Sequence, residues 1–348
     1  MFKRMLVPLD GSELAEQAIP VAARLARANG GTIVFVRVVL PPVEFGTYSV
    51  EQEHVIDVKP SAYEKRLVEA ESYLLDIATR HADVLAGIAT EIDITTGAAA
   101  PTIFSTARLE EMDLIVMYSR GETGLKRWVF RSIAQEAVRH SPVPVLVLHE
   151  HGMPLRVPDA AHPLRVLVPL DGSALAETAF EPAIELLKTW TGASAEVGGE
   201  LHLLQVVDVP PAYGKFRSQA YVTDGLLEEV RHQAQTYVKT VADRLSAGPL
   251  AESQVTLTSG IYVKTDVAGT IVRLAEHAEN AEHTSGYDLI AMATHGRSGL
   301  LRLVMGSVTE HVLGATKLLL LMVRPPQPKT QQEEAAQTVH TEAGTAAD

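Results

Sequence analysis

The sequence predicts two tandem α/β domains, each built as a doubly wound sheet of five parallel strands. The first observation behind this prediction is a long internal repeat, in which RMLVPLDGSELAE (Arg4–Glu16) returns as RVLVPLDGSALAE (Arg165–Glu177) with two differences. The second is a strand and helix order shared by both halves, and the third is a set of almost wholly apolar strands. The repeat spacing is about half of the 348-residue chain, whereas solenoid repeats take roughly 20–50 residues. A duplicated domain therefore explains the spacing.

Strand and helix patterns alternate along each half of the chain. In the first half we predict strands near 4–9, 32–39, 90–95, 113–118 and 144–148, and helices near 13–28, 62–82, 101–109 and 132–140. In the second half we predict strands near 165–170, 200–207, 254–258, 287–292 and 317–323, and helices near 174–190, 224–245, 266–278 and 307–313. Strands such as TIVFVRVV and DLIVM are typical of parallel sheets covered by helices on both faces. The alternation predicts right-handed crossovers and a doubly wound sheet.

The domain boundaries follow from where this alternation stops. We predict domains at 1–150 and 164–324, a linker at 151–163 and a disordered tail at 325–348, which is rich in Gln, Glu, Ala and Thr. The stretch HEHGMPLRVPDAAHP, beginning at His149, carries three prolines and no clear periodicity. Its three histidines lack the spacing of a zinc site. We expect these histidines to be solvated.

Composition limits the class of protein. The longest apolar run, LLLLMV at 318–323, is far below the roughly 18–20 residues that span a bilayer, so we expect no membrane segment. The chain has no cysteine and enters the repeat directly, which predicts a cytoplasmic protein. A formal net charge of −13 argues against a nucleic-acid partner, because such binding normally needs a basic surface.

The repeated Asp-Gly-Ser follows the first strand of each half. In open parallel sheets, ligands bind at the carboxyl ends of strands where the strand order reverses, and Asp10 and Asp171 would lie there. The alternative is that the Asp and Ser only cap the following helix. Both readings remain open from sequence.

A glycine-rich segment follows the fourth strand of the second half, in THGRSGLLRLVMGS. Gly296 and Gly299 lie in a loop, and Gly306-Ser307 begins a helix. Glycines let a backbone approach phosphate oxygens closely, and a helix N-terminus presents unpaired N–H groups and a partial positive charge. These features together predict an anion cradle. The alternative is that the glycines serve only turns and helix entry.

Taken together, these motifs resemble the universal stress proteins in their tandem form. The resemblance rests on the Asp-bearing turn, on a Val in strand two and on the spacing G-x2-G-9x-G-S after strand four. It covers nearly the whole chain except the linker and tail. It implies strand order 3-2-1-4-5 in each half and pairing of the halves through their last strands across a pseudo-two-fold axis. In ATP-binding members, the Asp and Val hold the nucleoside and the glycine motif holds the phosphates.

Carried onto this chain, the resemblance implies an almost intact site in the second half and a degenerate one in the first. The implied residues of the second half are Asp171, Val206, Ala293, Gly296, Gly306 and Ser307, and we add His295, Arg297 and Gly299 of the same segment as candidate binding residues. Ala293 replaces the first glycine of the motif. The first-half counterparts are Asp10, Val38, Gly121, Arg131 and Ser132. There Tyr118 and Arg131 replace the first and last glycines, so we expect the second half to bind nucleotide better.

The functional hypothesis is a stress-response module that binds ATP, with ADP or AMP as alternatives and with Mg²⁺ as an accompanying ion. Nucleotide occupancy would alter a surface that an unidentified protein partner recognises. No GxGxxG after a first strand, GxxxxGK[ST], GxSxG or HExxH motif occurs, and we predict no catalytic residue and no metal site. The alternatives are a slow ATP hydrolase or phosphotransferase, with His295 as an acid, and a nucleotide-free pairing scaffold. A homodimer also remains open.

Overall fold

The computed structural model describes residues 2–41, 60–119, 133–149, 162–191, 198–208, 224–277, 286–295 and 305–325. The strands are β1 (Arg4–Pro8), β2 (Thr32–Val39), β3 (Ala89–Thr96), β4 (Leu114–Ser119), β5 (Val145–His149), β6 (Leu164–Leu170), β7 (Gly199–Asp208), β8 (Val255–Lys264), β9 (Leu289–Ala293) and β10 (Leu319–Val323). The helices are α1 (Glu13–Glu16), α2 (Ala18–Asn29), α3 (Pro60–Arg80), α4 (Ala82–Leu85), α5 (Ala99–Leu109), α6 (Ile133–His140), α7 (Ala174–Glu177), α8 (Phe180–Thr191), α9 (Asp224–Ala247), α10 (Val267–His277) and α11 (Ser307–Ala315).

The strands form one continuous sheet in the order β3-β2-β1-β4-β5-β10-β9-β6-β7-β8. Each half therefore has the order 3-2-1-4-5, and neighbours within a half run parallel. The two halves meet where β5 and β10 pair antiparallel. The predicted fold class, including the pairing through the last strands, is confirmed.

The pseudo-two-fold axis passes through the pair Leu146–Leu321. Met5 and Val166 are equivalent in the repeat, and they pair with Leu114 of β4 and Leu289 of β9. Two residues further along these strands, β4 pairs with Leu146 and β9 pairs with Leu321. Equivalent residues therefore pair with each other across the junction. The junction buries two apolar edges that would otherwise be exposed for aggregation.

Helices cover both faces of the sheet. Val7 and Val168 face a core shared with α2, α3, α8 and α9. The neighbouring Leu6 and Leu167 face the opposite core, shared with α5, α6, α10 and α11. Both faces are thus buried in both halves, as the almost wholly apolar strands predict. Within the described ranges, no helix has the length and apolarity needed to cross a bilayer.

Polar contacts also join the halves on both sides of the sheet. The Arg24 guanidinium of α2 lies 5.7 Å from the Trp190 ring centre of α8. On the other face, Arg139 of α6 forms an ion pair of 3.2 Å with Glu310 of α11. The strand junction is therefore flanked by contacts from both helical layers.

Strand β8 differs most from its sequence prediction, and strand β5 contains a residue whose environment was predicted wrongly. Strand β8 was predicted to end near 258, but it continues through Gly260 to Lys264. A Cβ at Gly260 would lie 3.0 Å from Nε2 of His202, so this glycine makes room for the neighbouring ring. Strand β5 includes His149, which is only 9% exposed and pairs beside Ser119. The expectation of a solvated His149 was wrong, and burial lowers its pKa to about 4.

Each predicted helix after a first strand is divided in two. A single helix was predicted near 13–28 and another near 174–190, but α1 ends before Gln17 and α7 ends before Thr178. The short first segments thus begin directly at the Asp-Gly-Ser turns. The predicted linker and tail fall almost entirely outside the described residues.

Candidate functional site

The Asp-Gly-Ser turn of the first half has a local structural reason for each of its residues. Asp10 accepts hydrogen bonds through Oδ1 from the Ser12 amide at 2.9 Å and the Ser12 hydroxyl at 2.5 Å. Gly11 has φ +88°, a conformation that side chains disfavour. The Ser12 hydroxyl oxygen accepts from the Ala15 amide at 3.2 Å and caps α1.

The second half repeats this turn almost atom for atom. Asp171 Oδ1 accepts from the Ser173 amide at 2.9 Å and its hydroxyl at 2.6 Å, Gly172 has φ +85°, and Ser173 caps α7 through the Ala176 amide. The capping role predicted as an alternative is therefore present in both halves. The turn accounts for the hydrogen bonds that Oδ1 of each Asp accepts.

The strand beside each turn is longer than the strand that leads into it. Pairing of β1 with β2 ends at Pro8–Val36, whereas β2 pairs with β3 through Val39–Thr96. The β1-facing backbone edge of Val38 therefore lies beyond the end of β1, next to the turn. Val206 is placed in the same way, since β6–β7 pairing ends at Leu170–Gln205. The two valines therefore hold equivalent positions at the carboxyl edge of the two halves.

The end of β9 lies against the start of α11. The Gly306 amide donates to the Thr294 carbonyl at 3.1 Å, and the Thr309 hydroxyl donates to the Ala293 carbonyl at 3.3 Å. Ser307 is the first residue of α11, whose N-cap is Gly306. Helix α7 also contacts β9, so the Asp171 turn, Ala293 and the α11 N-terminus share the carboxyl edge of the second half.

Gly306 is not required by the local fold. Its φ of −60° and ψ of 141° suit any residue. An added Cβ would lie 3.7 Å from the Thr309 hydroxyl oxygen and 3.8 Å from the Thr294 carbonyl oxygen. Both are ordinary contacts, so no described neighbour demands a glycine at this helix start. Gly306 thus differs from Gly172, whose backbone conformation explains it.

His295 lies at the rim of this edge and is partly exposed. Its Nδ1 is 2.7 Å from the Thr294 hydroxyl oxygen, a contact that orients the ring. In the first half, Tyr118 is half-buried in β4 and packs against the core. Several predicted site residues lie outside the described residues, namely Gly296, Arg297, Gly299, Gly121, Arg131 and Ser132.

Glu16, the last residue of the repeat, has a role that the sequence analysis missed. Its carboxylate accepts from the Tyr73 hydroxyl at 3.0 Å and from Arg80 at 2.7 Å, with His81 Nε2 at 3.3 Å. Hydrogen bonds from Arg80 are the largest cause of a Glu16 pKa lowered to about 2. These bonds tie α1 to α3.

Glu177 makes the same connection between α7 and α9. It accepts from the Tyr237 hydroxyl at 2.9 Å and from Arg244. Burial and the bond to Glu177 raise the pKa of Tyr237, and the charge of Asp171 adds to this effect. Asp171 and Glu177 therefore both act on the Tyr237 hydroxyl. The identical Glu in both copies was the sequence signal for this contact.

The universal stress protein family model matches residues 1–149 and 164–324. The chain belongs to the universal stress protein family. It contains two such domains in tandem, one for each match. A universal stress protein E homolog of Haemophilus influenzae is 22% identical over 329 residues, covering 93% of this chain and 98% of that relative. A universal stress protein of Mycolicibacterium smegmatis is 23% identical, covering 92% and 97%.

Solved structures show the same fold. A universal stress protein from Archaeoglobus fulgidus aligns with a TM-score of 0.57 at 19% identity, covering 94% of this chain and 97% of that one. A putative universal stress protein from Pseudomonas aeruginosa aligns with a TM-score of 0.57 at 14% identity, covering 93% and 94%. The tandem arrangement therefore recurs along the full length of these structures.

Proposed function

We propose that this universal stress protein binds an adenine nucleotide, with ATP as the main ligand, chiefly in its second half. The bound nucleotide acts as a regulatory signal that a protein partner reads in the cytoplasm. The carrying observation is the shared carboxyl edge of β6, β7 and β9. That edge combines the Asp171 turn, the Val206 backbone beyond the end of β6 and the N-terminus of α11.

The chemistry of this edge fits the three parts of ATP. An Asp carboxylate accepts hydrogen bonds from ribose hydroxyls, and the edge of β7 offers backbone groups to adenine. The nine-residue helix α11 presents N–H groups and a partial positive charge to phosphate. Glycine at position 306, which the local fold does not require, supports the proposal because it leaves space for phosphate at the helix start.

The first half supports weaker binding. Its Asp10 turn and Val38 match those of the second half in geometry, but the motif replaces two glycines by Tyr118 and Arg131. In the motif Arg131 takes the place of Gly306, and a side chain of that length would add bulk where phosphate approaches. The helix dipole contributes only about 0.3–1 kcal/mol at a surface, so steric access decides the contrast between the halves.

Isothermal titration with ATP and Mg²⁺ tests the proposal on the full chain. We expect about one site per chain, lost in Asp171→Ala and in Gly306→Arg. Asp10→Ala is the matched control, because it removes the same turn contacts from the first half and should leave the binding unchanged. Two equal sites, or full binding by Gly306→Arg, would contradict the assignment to the second half. Accumulation of ADP over hours would favour the slow-hydrolase alternative.

A further inference from the structure

Arg37 and Gln205 hold equivalent positions next to the two Asp-Gly-Ser turns. The repeat makes Arg4 equivalent to Arg165, and these residues pair with Thr32 and Glu200. Five residues further along their strands lie Arg37 and Gln205, each directly before the Val that is proposed to hold adenine. The two side chains are thus matched in place and different in charge.

The Arg37 guanidinium covers the turn of the first half. A Cβ built on Gly11 would lie 2.6 Å from Nη1 and 3.0 Å from Nη2 of Arg37, so the guanidinium is in contact with the glycine. Its other side faces the ring of Tyr73, at 4.6 Å from the ring centre. Since Tyr73 is itself bonded to Glu16, the guanidinium is held between the turn and a fixed ring.

Gln205 lies further from the turn of the second half than Arg37 does from the turn of the first. The nearest atom to a Cβ on Gly172 is Gln205 Nε2 at 3.7 Å. The Gln205 side chain is neutral and only 8% exposed. Its Oε1 finds no hydrogen-bond donor among the described residues, which costs stability. Packing alone therefore does not explain an amide at this position.

The charge beside each turn differs accordingly. In the second half, Asp171 is close enough to Tyr237 to raise the pKa of its hydroxyl, after the larger effects of burial and of Glu177. In the first half, burial and Glu16 raise the pKa of Tyr73 while the positive Arg37 opposes them. A guanidinium therefore lies against the Asp10 turn, whereas a neutral amide is the nearest group to the Asp171 turn.

We infer that the residue at positions 37 and 205 determines which half admits the nucleoside end of an adenine nucleotide. Arg37 occupies the space over Gly11 that a ribose would need, and Gln205 keeps the equivalent space over Gly172 open. This inference rests on the proposed function. It attributes the difference in nucleotide binding between the halves to the nucleoside end as well as to the phosphate end, where Arg131 takes the place of Gly306 in the motif.

Titration of the full chain with AMP tests the inference, because AMP depends less than ATP on the phosphate cradle. We expect one site in the wild type, an affinity at least tenfold lower in Gln205→Arg, and a second site in Arg37→Gln. Gln205→Met is the matched control, since it removes the amide at similar length without adding charge. It should bind within threefold of the wild type.

Each outcome separates the inference from the proposed function. A Gln205→Arg chain that binds AMP within twofold of the wild type overturns the inference, and so does an Arg37→Gln chain without a second site. Equal losses in Gln205→Met and Gln205→Arg also overturn it, because the guanidinium would then have no specific effect. A wild-type chain that binds neither AMP nor ATP contradicts the proposed function itself. Arg37→Gln keeps the test valid if Gln205→Arg misfolds, because Arg37 is only half-buried.

Discussion

The two halves share a backbone and differ in what lies against it. Both form the same Asp-Gly-Ser turn and the same carboxylate bridge to the helix after strand two. They differ where Arg37 replaces Gln205 and where strand five ends in the buried His149. The difference teaches that the near-identity of the repeat preserves the shape of the turn, while residues outside the repeat determine which side chain lies against it.

Separating the halves should have the largest effect. Without its partner, fragment 1–150 exposes the apolar edge of β5, so we expect it to self-associate through the contact that β10 makes in the full chain. Light scattering should show a dimer or larger species, and Leu146→Lys should reduce it, because the charge would face its own copy at the axis. A soluble, strictly monomeric fragment 1–150 would contradict this view of the junction.

Acid should weaken the first half through His149. Burial lowers its pKa to about 4, below the ordinary value of about 6.5. The unfolded chain therefore binds the proton more readily, and the contribution of neutral His149 is complete above pH 6.5 and lost as the pH falls through 4. The free energy of unfolding therefore falls by about 3 kcal/mol between pH 6.5 and pH 4.

Denaturant unfolding at pH 7.5 and pH 4.5 checks the role of His149. His149→Leu should lose less stability between the two pH values than the wild type does. His232→Leu, on the exposed surface of α9, is the control and should follow the wild type. An unchanged pH dependence in His149→Leu would show that another group dominates.

The two carboxylate bridges, through Glu16 and Glu177, should differ by a smaller amount in their contribution to stability. Glu16 is 10% exposed and has three partners, whereas Glu177 is 19% exposed and has Tyr237 and Arg244 among the described residues. We expect Glu16→Gln to cost about 1–3 kcal/mol and Glu177→Gln to cost less, by thermal unfolding at pH 7. Since the pKa of Glu16 is lowered to about 2, its contribution is present above about pH 4.5 and falls toward pH 2. A larger effect from Glu177→Gln would reverse the ranking.

Much of the fold could be predicted because it depends on local patterns. Alternating apolar segments and the repeat predicted two doubly wound domains, whereas the resemblance to the universal stress proteins implied the strand order and the pairing of the halves. Strand β8 was predicted too short, since it continues through Gly260 beside the His202 ring to Lys264. His149 was misplaced because the local sequence does not show that it pairs beside Ser119 of β4, thirty residues away.

The candidate site could be predicted only in part. Asp171 follows from its position at the end of a strand, Gly306 follows from the glycine-rich segment, and Val206 follows only from the resemblance to the family. Arg37 could not be recognised, since nothing local shows that its side chain reaches back to Gly11. The same is true of Glu16, whose partners on α3 are more than fifty residues away.

The antiparallel junction of β5 with β10 has a consequence for how the molecule can diverge. In a symmetric dimer of identical chains, any substitution at one site appears at the other. Here the symmetric partners are joined in one polypeptide, so Arg37 can change while Gln205 does not. Because the strands reverse direction at Leu146–Leu321, the two carboxyl edges face opposite ways. One edge can therefore specialise in a ligand while the other is free to acquire a different surface, in a fixed one-to-one ratio.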